Sequence, residues 1–107
     1  MDEATQYIVL HASCRTHPGV AACQAAHAAG ESIRKLPVSD HTSVCVLVSE
    51  SSAELESLAA ALAEANIEHV LIREPDPPYN GAATAVGVEP QDRERLRPFV
   101  SHFKVFR

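Results

Sequence analysis

The stretch Val20-Ala21-Ala22-Cys23-Gln24-Ala25-Ala26-His27-Ala28-Ala29 decides how this chain folds. Ala22, Ala25, Ala26 and Ala29, continued by Ile33, recur at helical spacing and predict a helix from about Val20 to Leu36. Its face of small side chains is suited to lying close on a sheet. Pro18 fits the first turn, where its missing N–H needs no partner. Glu31 and Lys35 form an i, i+4 pair of favourable orientation. Gln24 and His27, three residues apart, put an amide and an imidazole at neighbouring positions of this helix.

Working outward, Gln6 to His11 is a short apolar and β-branched run, the pattern of a buried central strand. Ala12 to Gly19 is a polar loop, and Leu36 to Asp40, with Pro37, is a connection. Ser43 to Val48 is a second strand. Ser51 and Glu54 make a capping box that opens a helix whose Leu55, Leu58, Ala59 and Leu62 face inward. That helix stops near Asn66, a residue tolerant of the left-handed conformation. Glu68 to Arg73 is a third strand, and Pro75 to Gly81 is a Pro-rich loop. Ala82 to Val88 is a fourth strand. Leu96, Phe99, Val100 and Phe103 mark a last amphipathic helix, kinked or delayed by Pro98, and Val105 and Phe106 can add a short terminal strand. The order β-α-β-α-β-β-α predicts an α/β fold: a single three-layer domain over residues 1–107, with a four-stranded mixed sheet and helices on both faces.

Length and composition agree with one modest core. The chain has 107 residues, 46% of them hydrophobic, so a packed domain rather than disorder is expected. There is no Trp, and the core must rest on Leu, Ile, Val and Ala. Cys14, Cys23 and Cys45 are odd in number and match no disulfide framework. With no secretory leader pattern, this predicts a reducing, cytoplasmic location. The apolar stretch from Val20 to Ala29 is too short to span a bilayer, so no membrane partner is expected. The net charge of −5 argues against a uniformly basic nucleic-acid binder. The distribution is uneven, however. Glu50 to Asp76 holds seven acids and one base, Arg73, whereas Arg95 to Arg107 holds four bases, Arg95, Arg97, Lys104 and Arg107, and no acid. One end can meet a polyanion that the opposite surface repels, although charge counting alone favours a solvated tail.

Several chemistries are weighed against packing. Cys14, His17, Cys23 and His27 are zinc-ligand types within fourteen residues. Closing all four on one ion would strain the start of the helix, and cysteines in such helices usually pack, so no metal is expected. A Cys14 nucleophile with His17 or His27 as base has no local support beyond the nearby helix start. Gly19 and Gly30 stand alone, with no Gly-rich loop joining a strand to a helix, so neither a Rossmann nor a P-loop nucleotide site can be argued.

The segment Ala21-Ala22-Cys23-Gln24-Ala25-Ala26-His27-Ala28 resembles the first-helix motif of the type II (archaeal and eukaryotic) peptidyl-tRNA hydrolases, in which A-A-Q-x-x-H-A is characteristic. The likeness continues at Asn66-Ile67-Glu68-His69 and at Ala83-Thr84-Ala85-Val86-Gly87-Val88 with Pro90 following. The ending, Phe99 through Phe103-Lys104-Val105-Phe106-Arg107, is similar to that of the branch called peptidyl-tRNA hydrolase domain-containing proteins. The resemblance implies a compact α/β fold, often dimeric, that hydrolyses the ester between a stalled peptide and tRNA without a cofactor. Carried over by position, it implies Gln24, His27 and Thr84 as site residues and Glu74 where the family usually has Asp. Family members carry lysines just before the motif; here the stretch is His17-Pro18-Gly19-Val20, and Arg15 or Arg73 is the candidate substitute for tRNA contact.

Ester hydrolysis needs a positioned water, a base and donors for the oxyanion. His27 is the expected base or proton shuttle. Glu74 would orient the imidazole or the water, and Thr84 and Gln24 would supply hydrogen bonds. This requires His27 and Thr84 to converge around a solvent-reachable hollow. The alternatives are a non-catalytic tRNA- or protein-binding module, favoured by the missing lysines and acidic balance, and a dimeric scaffold.

Overall fold

The computed structural model describes residues 4–33 and 42–107. Five strands, β1 (Ala4–His11), β2 (Thr42–Ser49), β3 (His69–Glu74), β4 (Ala82–Val88) and β5 (Lys104–Val105), form one sheet in the order β3-β4-β1-β2-β5. β1 runs parallel to β2 and antiparallel to β4, while β3–β4 and β2–β5 are antiparallel. The expected mixed sheet is present, but it has five strands rather than four. The fifth is two residues long, pairing Val105 with Leu47 and Lys104 with Val48. The short terminal strand expected at Val105 and Phe106 is found one residue earlier, at Lys104–Val105, and joins the main sheet.

Three helices cover the sheet: α1 (Pro18–Glu31), α2 (Ser52–Glu64) and α3 (Arg93–Val100). Side chains of β1 alternate between the faces. Tyr7 and Val9 join Leu55, Leu58, Leu62 and Leu96 in a core beneath α2 and α3. Ile8 and Leu10 join Cys14, Ala28, Ile72 and Ala85 beneath α1. β1 is buried almost end to end, as its unbroken apolar run predicts.

α2 follows its sequence signals closely. The Ser51 side chain accepts the Glu54 N–H at 3.1 Å. Glu54 Oε1 departs from the usual box by accepting from the Glu50 N–H and the Ser49 hydroxyl. The predicted inward residues Leu55, Leu58, Ala59 and Leu62 are all buried. At the far end Asn66 is left-handed, with φ 59°. The Ile67 N–H bonds the Leu62 carbonyl and the Asn66 N–H the Ala63 carbonyl, which together form a Schellman closure.

α1 differs from expectation at both edges of its buried stripe. It begins at Pro18 and ends at Glu31, and the residues expected to carry it to Leu36, with the Glu31–Lys35 pair and the Pro37 connection, lie outside the described residues. Buried Gln6 on β1 meets this end of the helix, its Nε2 donating to the Ala29 carbonyl at 2.8 Å and to the Ser32 hydroxyl at 3.0 Å. The stripe against the sheet is Ala21, Ala25, Ala28 and Ala29 rather than one containing Ala22, Ala26 and Ile33. The rotation centres on Gly87 of β4, where any Cβ would run into the backbone carbonyl of Ala28. Pro98 lies within α3 without ending it. No helix among the described residues is long and apolar enough to cross a membrane.

Candidate active site

A register shift between Ile72 and Arg73 of β3 sets the geometry of the site. Ile72 pairs with Ala85 and Arg73 with Ala83, so Thr84 is an extra residue, a bulge in β4. Bulges re-aim side chains. Here Ala83 packs beneath α2, Ala85 packs beneath α1, and Thr84 between them turns toward α1. Its Oγ1 donates to Gln24 Oε1 at 3.3 Å, with the Ile72 carbonyl a second acceptor at 3.4 Å.

Thr84 has one proton for two acceptors, so each contact is long and shared. Thr84 is 3% exposed, and its hydroxyl holds one end of the Gln24 amide. Gln24 is half-buried, and among the described residues its NH2 group has no acceptor. An amide fixed by its oxygen and open at its nitrogen is a preorganised donor for developing negative charge.

His27 lies on the outer side of α1. Its side chain is 57% exposed, and its Nε2 sits 3.9 Å from Glu31 Oε1 one turn on. The two expected partners thus differ in environment: Gln24 and Thr84 are brought together, while the imidazole stands in solvent and Thr84 is covered. Glu74 closes β3. Its Oε1 accepts the Asp76 N–H at 3.1 Å and its carbonyl the Gly81 N–H at 2.7 Å, which ties the Pro-rich loop to the start of β4.

The two arginines are both engaged. Arg15 Nη1 meets Glu50 Oε1 at 3.2 Å. Arg73 points to the other face, where Nη2 meets Glu56 Oε1 of α2 at 2.7 Å. That pairing holds the Glu56 carboxyl below the usual carboxylate range and raises the guanidinium further above its own. The structure therefore does not bring Arg73 to the α1 side, because β3 alternation sends Ile72 to α1 and Arg73 to α2. Among Cys14, His17, Cys23 and His27, Cys14 is buried in the core beneath α1 and Cys23 is exposed. Among the described residues no group of three or more His, Cys, Asp or Glu is placed to hold a metal.

The sequence reading missed a polar group at the end of β1. The hydroxyls of Ser13 and Tyr79 share a 2.6 Å hydrogen bond, and His11 Nδ1 lies 3.1 Å from Ser13 Oγ and accepts the Ser13 N–H. β1–β4 pairing ends at Leu10 and Ala85, so His11 and Thr84 are the next residues on each strand. Only the loop fold brings Tyr79 to Ser13, sixty-six residues away, so no local pattern reveals it.

With this geometry in hand, comparison with known families is decisive: the family model for Peptidyl-tRNA hydrolase PTH2 matches residues 4–106. The chain belongs to that family. The match runs from the first residue of β1 through β5, so the bulge, α1 and the β3–β4 loop all lie within it. No individual curated protein matches the chain. Family membership places the chain among peptidyl-tRNA hydrolases and makes peptidyl-tRNA the substrate class of its family.

Proposed function

We propose that this chain hydrolyses the ester bond of peptidyl-tRNA, releasing peptide and tRNA in the cytoplasm without a cofactor, with the chemistry on α1. The observation that carries this reading is the Thr84–Gln24 contact. It fixes an amide on the motif helix of a PTH2 chain whose N–H donors have no acceptor among the described residues. In this reading Gln24 donates to the carbonyl oxygen of the scissile ester as it becomes an oxyanion. His27, exposed one position further round the helix, accepts a proton from the attacking water and returns it to the leaving ribose oxygen. Thr84 acts by positioning Gln24, not by touching substrate. Glu74 acts by holding the loop that borders the site. Arg15 contributes to tRNA contact.

A second reading keeps the fold and the tRNA affinity without turnover. The observation favouring it is that Thr84 is covered while His27 stands in solvent beside Glu31. Release of peptide from a model peptidyl-tRNA by the parent, His27→Ala and Thr84→Ala separates the two. The hydrolase reading expects both variants to fall well below the parent, and it fails if both match it.

A further inference from the structure

The turn after β1 and the C-terminal segment meet at one edge of the sheet. β1 ends at His11, and a short 3-10 helix, Ala12–Thr16, carries Arg15 to the end of β2, beside Glu50. From the C-terminal segment, β5 is pinned on β2, and the Phe106 N–H continues the pairing by donating to the Val46 carbonyl at 2.9 Å. Phe106 also packs against the core beneath α1. The tail is therefore held in place, and Arg15, Lys104, Val105 and Arg107 line a hollow of about 380 Å³.

We propose that this hollow seats the phosphate backbone of RNA, a reading that rests on the peptidyl-tRNA assignment of α1. Three of its four lining residues are cations, in a chain whose net charge is −5. Lys104 and Arg107 make no ion pair among the described residues, so their charge is available. Arg15 has one partner, Glu50, in a pair exposed on both sides (36% and 67%). A phosphate can replace such a carboxylate at little cost, since exposed pairs contribute little. The cations approach from separate segments, which matches the spaced charges of a polyanion better than one small anion. Val105, 54% exposed between them, offers an apolar surface to a ribose. Arg15 lies three residues before α1, the helix that carries the motif.

The tail was visible in the sequence as a run of bases without an acid, for which solvation was the default reading. What changes that reading is its attachment: β5 and Phe106 fix the bases beside Arg15, which composition cannot show.

The test uses deacylated tRNA, which has no ester, titrated by fluorescence anisotropy across a salt series. Parent, Lys104→Gln/Arg107→Gln, Glu50→Gln and, as a control of equal charge change on α3, Arg95→Gln/Arg97→Gln are compared. The first double variant is expected to bind about tenfold more weakly, with a salt slope shallower by about 1.5, as two phosphate contacts are lost. Glu50→Gln is expected to bind about twofold to threefold more tightly as Arg15 is released, and the α3 control to match the parent. Absence of tRNA binding by the parent overturns the proposal, as does an equal loss in both double variants. Binding to phosphatidylserine vesicles that depends on Lys104 and Arg107, with tRNA binding that does not, also overturns it. If the difference in salt slope is found but peptidyl-tRNA is not hydrolysed, the hollow stands and the hydrolase reading of α1 falls.

Discussion

Thr84 Oγ1 donates to Gln24 Oε1 across 3.3 Å, and this bond joins the bulged residue of β4 to the motif helix lying over it. The bulge gives the contact its direction. Without the extra residue, strand alternation would send positions 83 and 85 to one face and 84 to the other, with no guarantee that a hydroxyl met the amide.

Replacing Thr84 with Val keeps the shape and removes the donor. Gln24 is half-exposed and can be rehydrated, so the expected cost in stability is modest, about 1 kcal/mol, read by chemical denaturation. The expected cost in turnover is larger, about tenfold to a hundredfold, because the freed amide samples other rotamers. Loss of stability without loss of turnover would mean that the bond is only structural.

Gly87 is where α1 comes nearest the sheet. A methyl group there meets the Ala28 carbonyl, a backbone atom with no rotamer to escape into. Gly87→Ala is expected to destabilise the fold by about 2–3 kcal/mol, a fall in Tm of roughly 10–20 °C. Calorimetry that shows an unchanged Tm would contradict the packing described.

The thiols should separate by environment. Cys14 is buried, and burial raises its pKa above the ordinary thiol value, whereas Cys23 is exposed on α1. Iodoacetamide at pH 8, followed by peptide mass spectrometry, should label Cys23 first and Cys14 at least about tenfold more slowly. The sign for stability follows. A neutral thiol is favoured in the folded chain, so this contribution is complete below the ordinary thiol pKa and is lost as pH rises through the raised value. Cys14→Ala should therefore flatten the alkaline limb of a stability profile.

Much of this fold was legible because its signals are local. The Ser51 cap, the inward leucines of α2 and the left-handed Asn66 are each set by neighbours a few residues away. The Pro-rich loop and β4 were legible for the same reason. What escaped depends on partners far along the chain. The Thr84 bulge exists only relative to β3, and the Ala29 carbonyl near the end of α1 is met by Gln6, on a strand more than twenty residues earlier. A short terminal strand at Val105 and Phe106 was legible, but its pairing with β2 was not. The site divides in the same way. The motif identified Gln24 and His27, but it could not show that the first is anchored and the second solvated. Nor could it show that Arg73, adjacent in sequence to Glu74, is turned to the opposite face by strand alternation and claimed by Glu56.

The central claim is that an anchored amide on α1 stabilises the oxyanion of ester hydrolysis. Single-turnover release of peptide from peptidyl-tRNA, with Gln24→Ala beside the parent, tests it most directly. The parent is expected to run far above buffer and the variant to lose about a hundredfold or more, the scale for one oxyanion donor, with tRNA binding retained. A variant as fast as the parent, or a parent no faster than buffer, would contradict it.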